Sequence, residues 1–523
     1  MGGGLLQLVA YGAQDAYITG NPHITFWKVL YKRHTNFAME AFRVNFTGAP
    51  QYGQRVVAVI NRNADLMYKT YLEVQLPDTY SAADGSGVKW TGAYERRLGY
   101  QLLKKIEVEI GGQIIDTHYG EWLFLWENLT SGFDNSVKLD SMTGGYLGGT
   151  ETSAVSCGGR PAVLYIPLQF WFCRNPGLAL PLIALQYHEV RINVTLNPAT
   201  DLVSGTPGTA GSVSTAASKL PQLKDMSLYV DYVYLDVDER RRFAQQSHEY
   251  LIDQLQFGLQ QTLTTSSARI DLTLNHPVKE LVWVFQDARK TDCGSDLTKN
   301  MGFTQPFSYD DIVNRARLQI NGQDRFDERY GDYFWKVQPY QHHSGGAFWP
   351  TRAQVTAPTA STVTSTCSVV GDVLTSGAVS AGTNSPPPYI VEGAIVSGTG
   401  IAPGTIISAF GTGSGGEGTY QLSEPATING TGLSITFTLP NVNYAPHSNP
   451  INVYSFALQP EEHQPSGTCN FSRIDTTTLV FDSVSTSGIA KPTKTTPFNF
   501  RMYAVNYNIF RVMSGMGGLA YSN

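Results

Sequence analysis

The sequence predicts an all-β protein built from two duplicated domains of antiparallel sheet, and three observations carry that prediction. Polar and apolar residues alternate with period two along many short segments. Turn formers are abundant: 51 Gly and 27 Pro stand among 523 residues, about 15% of the chain against a usual ~12%. A hairpin-like motif also occurs twice, roughly 210 residues apart, which is too long for a solenoid repeat and suits two domains that arose by duplication.

The alternating runs are Lys69 to Leu76, Lys105 to Ile110, Leu228 to Leu235 and Arg269 to Leu274. In the last, Ile270, Leu272 and Leu274 share one face, and Arg269, Asp271 and Thr273 share the other. Strands of this half-solvated kind belong to antiparallel sheets rather than to the fully apolar strands of a parallel α/β sheet. No train of strands alternating with long helices is visible, which argues against a Rossmann or barrel enzyme. Two short helices are expected. One covers Tyr11 to Tyr17. The other covers Tyr119 to Leu129, where Trp122, Leu125, Trp126 and Leu129 fall at helical spacing and form a core stripe.

The first copy of the repeat runs from Ile110-Gly111-Gly112-Gln113 through Asp116 to Tyr119-Gly120-Glu121-Trp122. The second runs from Ile320-Asn321-Gly322-Gln323 through Asp327 to Tyr330-Gly331-Asp332-Tyr333. Each reads as a strand, a glycine-dependent tight turn, a short return strand and a helical cap. Asp116 and Asp327 occupy matching positions, and a turn role is expected for both.

Residues 355–440 differ from the rest. They are rich in Thr, Ser, Gly and Val, almost free of charge, and contain Pro386-Pro387-Pro388. Runs such as Gly404 to Ser408 and Gly418 to Leu422 predict small strands between glycine turns, hence a β-rich insertion at a loop tip, where insertions are best tolerated. A disordered linker is the alternative.

Composition narrows the function. The net charge is −6, which disfavours sequence-independent binding to a phosphate backbone. The strongest basic run, Arg240-Arg241-Arg242, follows Asp238 and Glu239 and reads as a solvated connector. Five scattered cysteines (Cys157, Cys173, Cys293, Cys367 and Cys469) form no C-x-x-C pair and suit a reducing compartment. The N-terminus lacks the basic start and long apolar stretch of a signal peptide, and Leu6 stands where a myristoylation signal requires Ser or Thr. The apolar stretch Val163 to Val190 is interrupted by Arg174, Asn175, Pro176 and Pro181, so it is not a spanning helix.

Several segments resemble the major capsid proteins of nucleocytoplasmic large DNA viruses. They are Leu8 to Asp15 with Thr19 to Phe26 and Arg33 to Phe37; His276 to Val284; Tyr454 to Pro460 with His463 to Arg473; and the ending Met513 to Ala520. The resemblance spans nearly the whole chain except 355–440. It implies two consecutive eight-stranded antiparallel jelly rolls, a double jelly roll with short helices. The divisions expected are an N-terminal arm at 1–25, a first roll at 26–238, and a second roll at 239–523 interrupted by the 355–440 surface insertion. It further implies a homotrimer whose six similar domains make a pseudo-hexagonal capsomer. Such capsomers tile an icosahedral shell in the virion, assembled in the host cytoplasm. The partners implied are neighbouring capsomers, minor capsid proteins and an internal membrane beneath the shell, with no sequence-specific nucleic acid. Interfaces of this obligate kind bury on the order of 2,000–5,000 Å².

No catalytic, cofactor-binding or metal-ligating residue is assigned, and no enzymatic activity is expected. Among the ten histidines there is no His-x-His, and the adjacent His342 and His343 would face opposite ways on a strand. Glu461, Glu462 and His463 are adjacent, so their side chains diverge; a turn fixed by Pro460, Pro465 and Gly467 explains the segment better than a metal site. Arg473 is a candidate to pair with a carboxylate across an interface. No glycosylation is claimed for the Asn-x-Ser/Thr triplets, of which Asn429 alone suits an exposed acceptor. The weak rival is a carbohydrate-binding jelly-roll lectin, which would remain a small soluble oligomer.

Overall fold

A computed structural model describes residues 3–24, 26, 31–76, 93–94, 97–144, 156–157, 160–161, 163–199, 202–204, 222–288, 309–345, 362–380, 395–402, 405, 407–410, 418–426, 428, 430–438, 450–483, 492 and 497–521. The fold is a double jelly roll. In the first roll, Asp225–Leu235 lies between Phe37–Asn45 and Leu66–Gln75, and Leu66–Gln75 also pairs with Leu180–Pro181 and Val163–Pro167. The facing sheet runs Arg55–Ile60, Val190–Leu196, Leu103–Ile110, Gln113–His118. Strands from opposite ends of the domain thus interleave, and all these pairs are antiparallel. The predicted alternation sets the core: Leu72, Val74 and Leu76 point inward with Ile106, Val108 and Ile110, while Tyr71, Glu73 and Gln75 stay half-exposed.

The second roll repeats the order. One sheet runs His248–Leu263, Phe498–Met513, Pro277–Asp287, Asn452–Ser455; the other runs Ser267–Asp271, Thr477–Ser483, Val313–Ile320, Gln323–Asp324. Its own core includes Trp283, Phe285, Phe334, Phe481 and Phe500.

Both copies of the sequence repeat form the expected hairpin. Ile110 pairs with Gln113 and Ile320 with Gln323, each across a two-residue turn. Gly111 and Gly112 have φ of +60° and +85°, and Asn321 and Gly322 have +49° and +77°, the left-handed pair that such hairpins require. Eight residues after the turn glycine in the first copy and nine in the second, the second matched glycine is needed for space rather than for φ. A Cβ on Gly120 would lie 2.0 Å from the Tyr100 carbonyl oxygen and 2.4 Å from that of Leu103. A Cβ on Gly331 would lie 2.2 Å from the Val313 carbonyl oxygen. Leu103 and Val313 open the corresponding strands of the two rolls, so one steric constraint explains both glycines.

Thr362–Val370, Val373–Ser380, Ile395–Gly398, Ile407–Phe410, Gly418–Leu422 and Gly430–Thr438 form a separate 6-stranded sheet. Its cluster of Cys367, Val369, Leu374, Val396, Ile407, Tyr420, Leu422, Ile435 and Phe437 is distinct from those of the rolls. Thr362 pairs directly with Thr438, so the first and last residues of the sheet lie side by side. Folded β structure, not a linker, occupies this part of the chain. Asn429 lies outside the described residues.

Some local expectations need correction. The N-terminal helices are Gly3–Val9 and Asp15–Thr19, not Tyr11 to Tyr17. The Asp15 carboxylate accepts from the Gly12 amide at 2.7 Å, which closes a turn and delays the second helix. The core helix runs Gly120–Thr130, with Trp122, Leu125, Trp126 and Leu129 all buried as expected. The basic run lies on helix Val237–Gln245, and Arg240 is not merely solvated: its Nε is 2.9 Å from Oδ1 of the buried Asp65. His342 ends helix Gln338–His342 and His343 follows it, so neither is on a strand. The stretch from Val163 to Val190 is broken into short pieces, and no helix among the described residues is long and apolar enough to cross a membrane.

Candidate functional site: the junction between the rolls

For a protein expected to act as a building block, the decisive chemistry lies where its units are fixed to one another. The sequence hints at such a place in Leu281-Val282-Trp283-Val284-Phe285, where alternation gives way to a continuous apolar run. Strand Pro277–Asp287 is buried along nearly its whole length. Leu281, Trp283 and Phe285 enter the second roll's core, whereas Val282 and Val284 join the core of the first. One face of this sheet therefore serves as a wall of the first roll.

Helix Gly120–Thr130 of the first roll lies on that wall. The Trp122 ring is 5.5 Å from Tyr503, and Tyr119 is 5.2 Å from Phe257. Trp171 also meets Phe510 at 6.1 Å. Glu121, beside Trp122, is the polar centre. It accepts from Arg501 Nε at 2.9 Å, the Tyr503 hydroxyl at 2.6 Å and the Tyr309 hydroxyl at 3.0 Å. Arg501 also donates to Gln286. Burial alone would lower the Arg501 pKa, but the Glu121 carboxylate more than offsets it and holds the guanidinium above its ordinary range. Burial, reinforced by Glu121, raises Tyr503 and Tyr309 well above the usual phenol range. A carboxylate with three charge-assisted or hydroxyl donors is a strong, directional anchor.

A second polar group adjoins it. Fully buried Lys279 donates to Asp253 at 2.9 Å and sits over the Tyr507 ring. Arg174 of the first roll reaches the same Asp253 oxygen at 3.7 Å while stacking 4.1 Å from the Trp126 ring. Asp116 belongs here too, which corrects its expected turn role. It is buried in strand Gln113–His118, and its Oδ1 accepts from the Leu255 amide of the second roll at 3.1 Å. Asp327, its counterpart, is in an exposed loop. The corresponding residues of the repeat thus do different work.

The third group includes Glu461. It does not converge with Glu462 and His463; its Oε1 accepts from His343 Nδ1 at 3.0 Å and the Ser344 amide at 2.8 Å, and its Oε2 from the Ser344 hydroxyl at 2.6 Å. His343 Nε2 lies 3.1 Å from Glu280 Oε2. Burial would push His343 down, but Glu280 and Glu461 dominate and raise it to about 9. The same loop reaches the first roll, where Ser344 Oγ lies 2.9 Å from the Thr130 carbonyl oxygen and the Gly345 amide donates to the Leu129 carbonyl. Nearby, Ser466 Oγ accepts from the Gln459 amide, bracing the Pro- and Gly-containing loop. Arg473 is exposed at the end of a short 3-10 turn. At the C-terminus, hairpin Met513–Met516 joins the junction through the Tyr187 amide, which donates to the Gly515 carbonyl.

Residues 25–236 match the model of the major capsid protein N-terminus, and residues 239–353 and 437–518 match that of the large eukaryotic DNA virus major capsid protein. The chain belongs to this major capsid protein family. It is 42% identical over 528 residues to a major capsid protein of Pyramimonas orientalis virus, with 100% of each chain covered. It is 34% identical over 561 residues to that of Paramecium bursaria Chlorella virus 1, again covering 100% of each. The structure also resembles the chain in a quasi-atomic model of the PBCV-1 virus capsid, with a TM-score of 0.62, 30% identity, and 95% and 100% of the two chains covered. The Faustovirus major capsid protein, at 12% identity and a TM-score of 0.59, shares the fold. As a member of the family the chain is a structural protein of the virion shell and contacts neighbouring capsid subunits.

Glu121, Arg501, Tyr503, Glu280 and His343 were not singled out from sequence. Glu121 lies 380 residues before Arg501 and 382 before Tyr503, and no spacing pattern ties Glu280 to His343. The one available signal was the acid of the repeat, Glu121 matching Asp332.

Proposed function

We propose that three copies of this chain close into a ring whose six rolls form a pseudo-hexagonal capsomer, and that these capsomers tile an icosahedral shell. The observation that carries the reading is the junction: two like domains are locked by aromatic packing and buried ion pairs, so each chain supplies two sides of a hexagon at a fixed angle. Closed threefold rings of duplicated domains give near-equal neighbours all round.

The divisions proposed are an arm at 1–25, rolls at 26–238 and 239–523, and the 355–440 insertion projecting from the second roll into solvent, where it decorates the virion. Leu5, Leu6, Leu8, Val9, Tyr17 and Ile18 of the arm are exposed. This apolar surface suits contacts with minor capsid proteins and an internal membrane beneath the shell. Arg473, exposed in one chain, is a candidate for pairing across an interface. The reading involves no catalysis and no nucleic-acid binding, with assembly in the host cytoplasm.

The test is sedimentation with light scattering on the purified full chain. The expected mass is three times 57.3 kDa; a stable monomer overturns the reading. Removing residues 1–25 is expected to leave that mass unchanged and to impair shell assembly, and normal shells from the shortened chain would contradict the arm's role.

A further inference from the structure

Between the second and third polar groups of the junction runs a seam whose hydrogen bonds do not balance within the protein. Lys279 and Glu280, both fully buried, are neighbours on strand Pro277–Asp287. A register shift between Val278 and Glu280 makes Lys279 a bulge residue, so the two side chains need not part to opposite faces. Asp253 stands across the sheet from Tyr507, and Arg174 reaches in from the first roll. Burial, followed by Asp253 and Glu280, pushes the Tyr507 hydroxyl up to about 12. Burial lowers Arg174, and Asp253, Asp116 and Glu280 oppose that shift. Two carboxylates, two cations and a phenol therefore share one buried space.

Their direct contacts are too few. An ammonium has three N–H groups and a guanidinium five. Lys279 uses one of its own, on Asp253 Oδ2 at 2.9 Å. The ion pair of Arg174 with the same oxygen spans 3.7 Å, beyond hydrogen-bond range and at the distance where a bridging water belongs. Arg174 Nε, Asp253 Oδ1, Glu280 Oε1 and the Tyr507 hydroxyl are buried, and none of them has a hydrogen-bond partner in the protein. Buried polar atoms are seldom left in that condition. Four in one seam point to a shared bridging ligand that both donates and accepts. A metal ion fails this requirement, because Lys279 and Arg174 already neutralise the two carboxylates. Moreover, no three His, Cys, Asp or Glu among the described residues are placed to hold one. An anion would meet Asp253 and Glu280. Water satisfies both demands, and the seam offers it several polar partners. A cleft of about 350 Å³ between residues 113–117 and 254–256 reaches Asp116, one of the carboxylates that acts on Arg174, and gives water a way in.

We propose that ordered water molecules bind in this seam, bridging Arg174, Asp253, Lys279, Glu280 and Tyr507, and that they are a structural part of the lock between the rolls. Arg174 comes from the first roll and the other four from the second, so the water joins the two. The site lies within one chain and does not depend on the trimeric reading.

The test is an experimental density map of the full-length protein, in whatever assembly it forms, at a resolution that shows ordered solvent. Peaks about 2.6–3.2 Å from the Tyr507 hydroxyl, Asp253 Oδ1, Glu280 Oε1 and Arg174 Nε are expected, with single peaks shared between neighbouring groups. A seam without peaks, or side chains turned into direct contact with one another, overturns the proposal. So does one peak about 2.0–2.6 Å from several oxygens, which is the signature of a metal ion. Tyr507→Phe gives a second readout, because it removes the hydroxyl alone. Loss of the peak at that position and a lower melting temperature are expected. A buried hydroxyl without a partner costs stability, so a melting temperature that is unchanged or raised in the variant overturns the role given to the water.

Discussion

Strands Leu66–Gln75 and Pro277–Asp287 occupy the same place in the two rolls, yet the first alternates between buried and half-exposed and the second is buried almost throughout. Their backbones obey one topology. What differs is the neighbour: helix Gly120–Thr130 and the residues around Arg174 cover the second roll's sheet, and among the described residues nothing equivalent covers the first roll's. Duplication therefore supplies two copies of a fold but only one internal junction. The second roll owes part of its stability to contacts outside itself, and the first keeps a face available.

The largest effect is expected from breaking the polar centre of that junction. Arg501→Ala leaves Glu121 buried without its cation, a change that costs about 3–5 kcal/mol in comparable cases. Chemical denaturation should show it, accompanied by separate melting of the two rolls; a loss below about 1 kcal/mol would mean that the junction is not held there. Next come the paired glycines. Gly120→Ala and Gly331→Ala each force a Cβ against a carbonyl oxygen and should each cost on the order of 1–3 kcal/mol. Similar losses at both sites would confirm a shared constraint, and a neutral Gly331→Ala would break the parallel between the rolls.

A pH-dependent term is smaller, and its main source lies in the junction. His343 is raised to about 9 from an ordinary 6.5, so the folded state holds its proton more tightly than the unfolded state. Its contribution is complete below pH 6.5 and is lost as pH rises through 9. Urea unfolding between pH 6 and 10 should show this decline, and His343→Gln should flatten it. Glu127, which burial raises to about 7 against the pull of Tyr100 and Arg97, acts over a lower range: its contribution is complete below pH 4.5 and fades as pH rises through 7. Glu127→Gln should remove that slope. The smallest effect on the rolls is expected from replacing residues 362–438 by a short Gly-Ser bridge. Thr362 and Thr438 are already neighbours, so the melting temperature of the remainder should scarcely move, and an isolated 355–440 fragment, which has no Lys or Arg but several aromatic residues, should resist chymotrypsin.

The features legible in the sequence were those set by local chemistry. Period-two patterning gave the strands, Gly111-Gly112 and Asn321-Gly322 gave the hairpins, and Trp122, Leu125, Trp126 and Leu129 gave the core helix. The junction was less legible because its polar groups come together only in three dimensions. Glu280, His343 and Glu461 lie on a strand, a helix end and a loop, and no spacing rule links them. Asp116 was read as a turn former because it and Asp327 occupy matching positions in the repeat; its own setting is fixed by the Leu255 amide of the other roll. The Tyr11 to Tyr17 helix was displaced because the Asp15 carboxylate closes a turn on the Gly12 amide, so the helix starts only at Asp15.

The most direct test of the account is electron microscopy of the purified full-length protein. It predicts threefold particles of hexagonal outline in which six similar lobes alternate between intrachain and interchain contacts. Isolated two-lobed monomers, or rings without threefold symmetry, would contradict it.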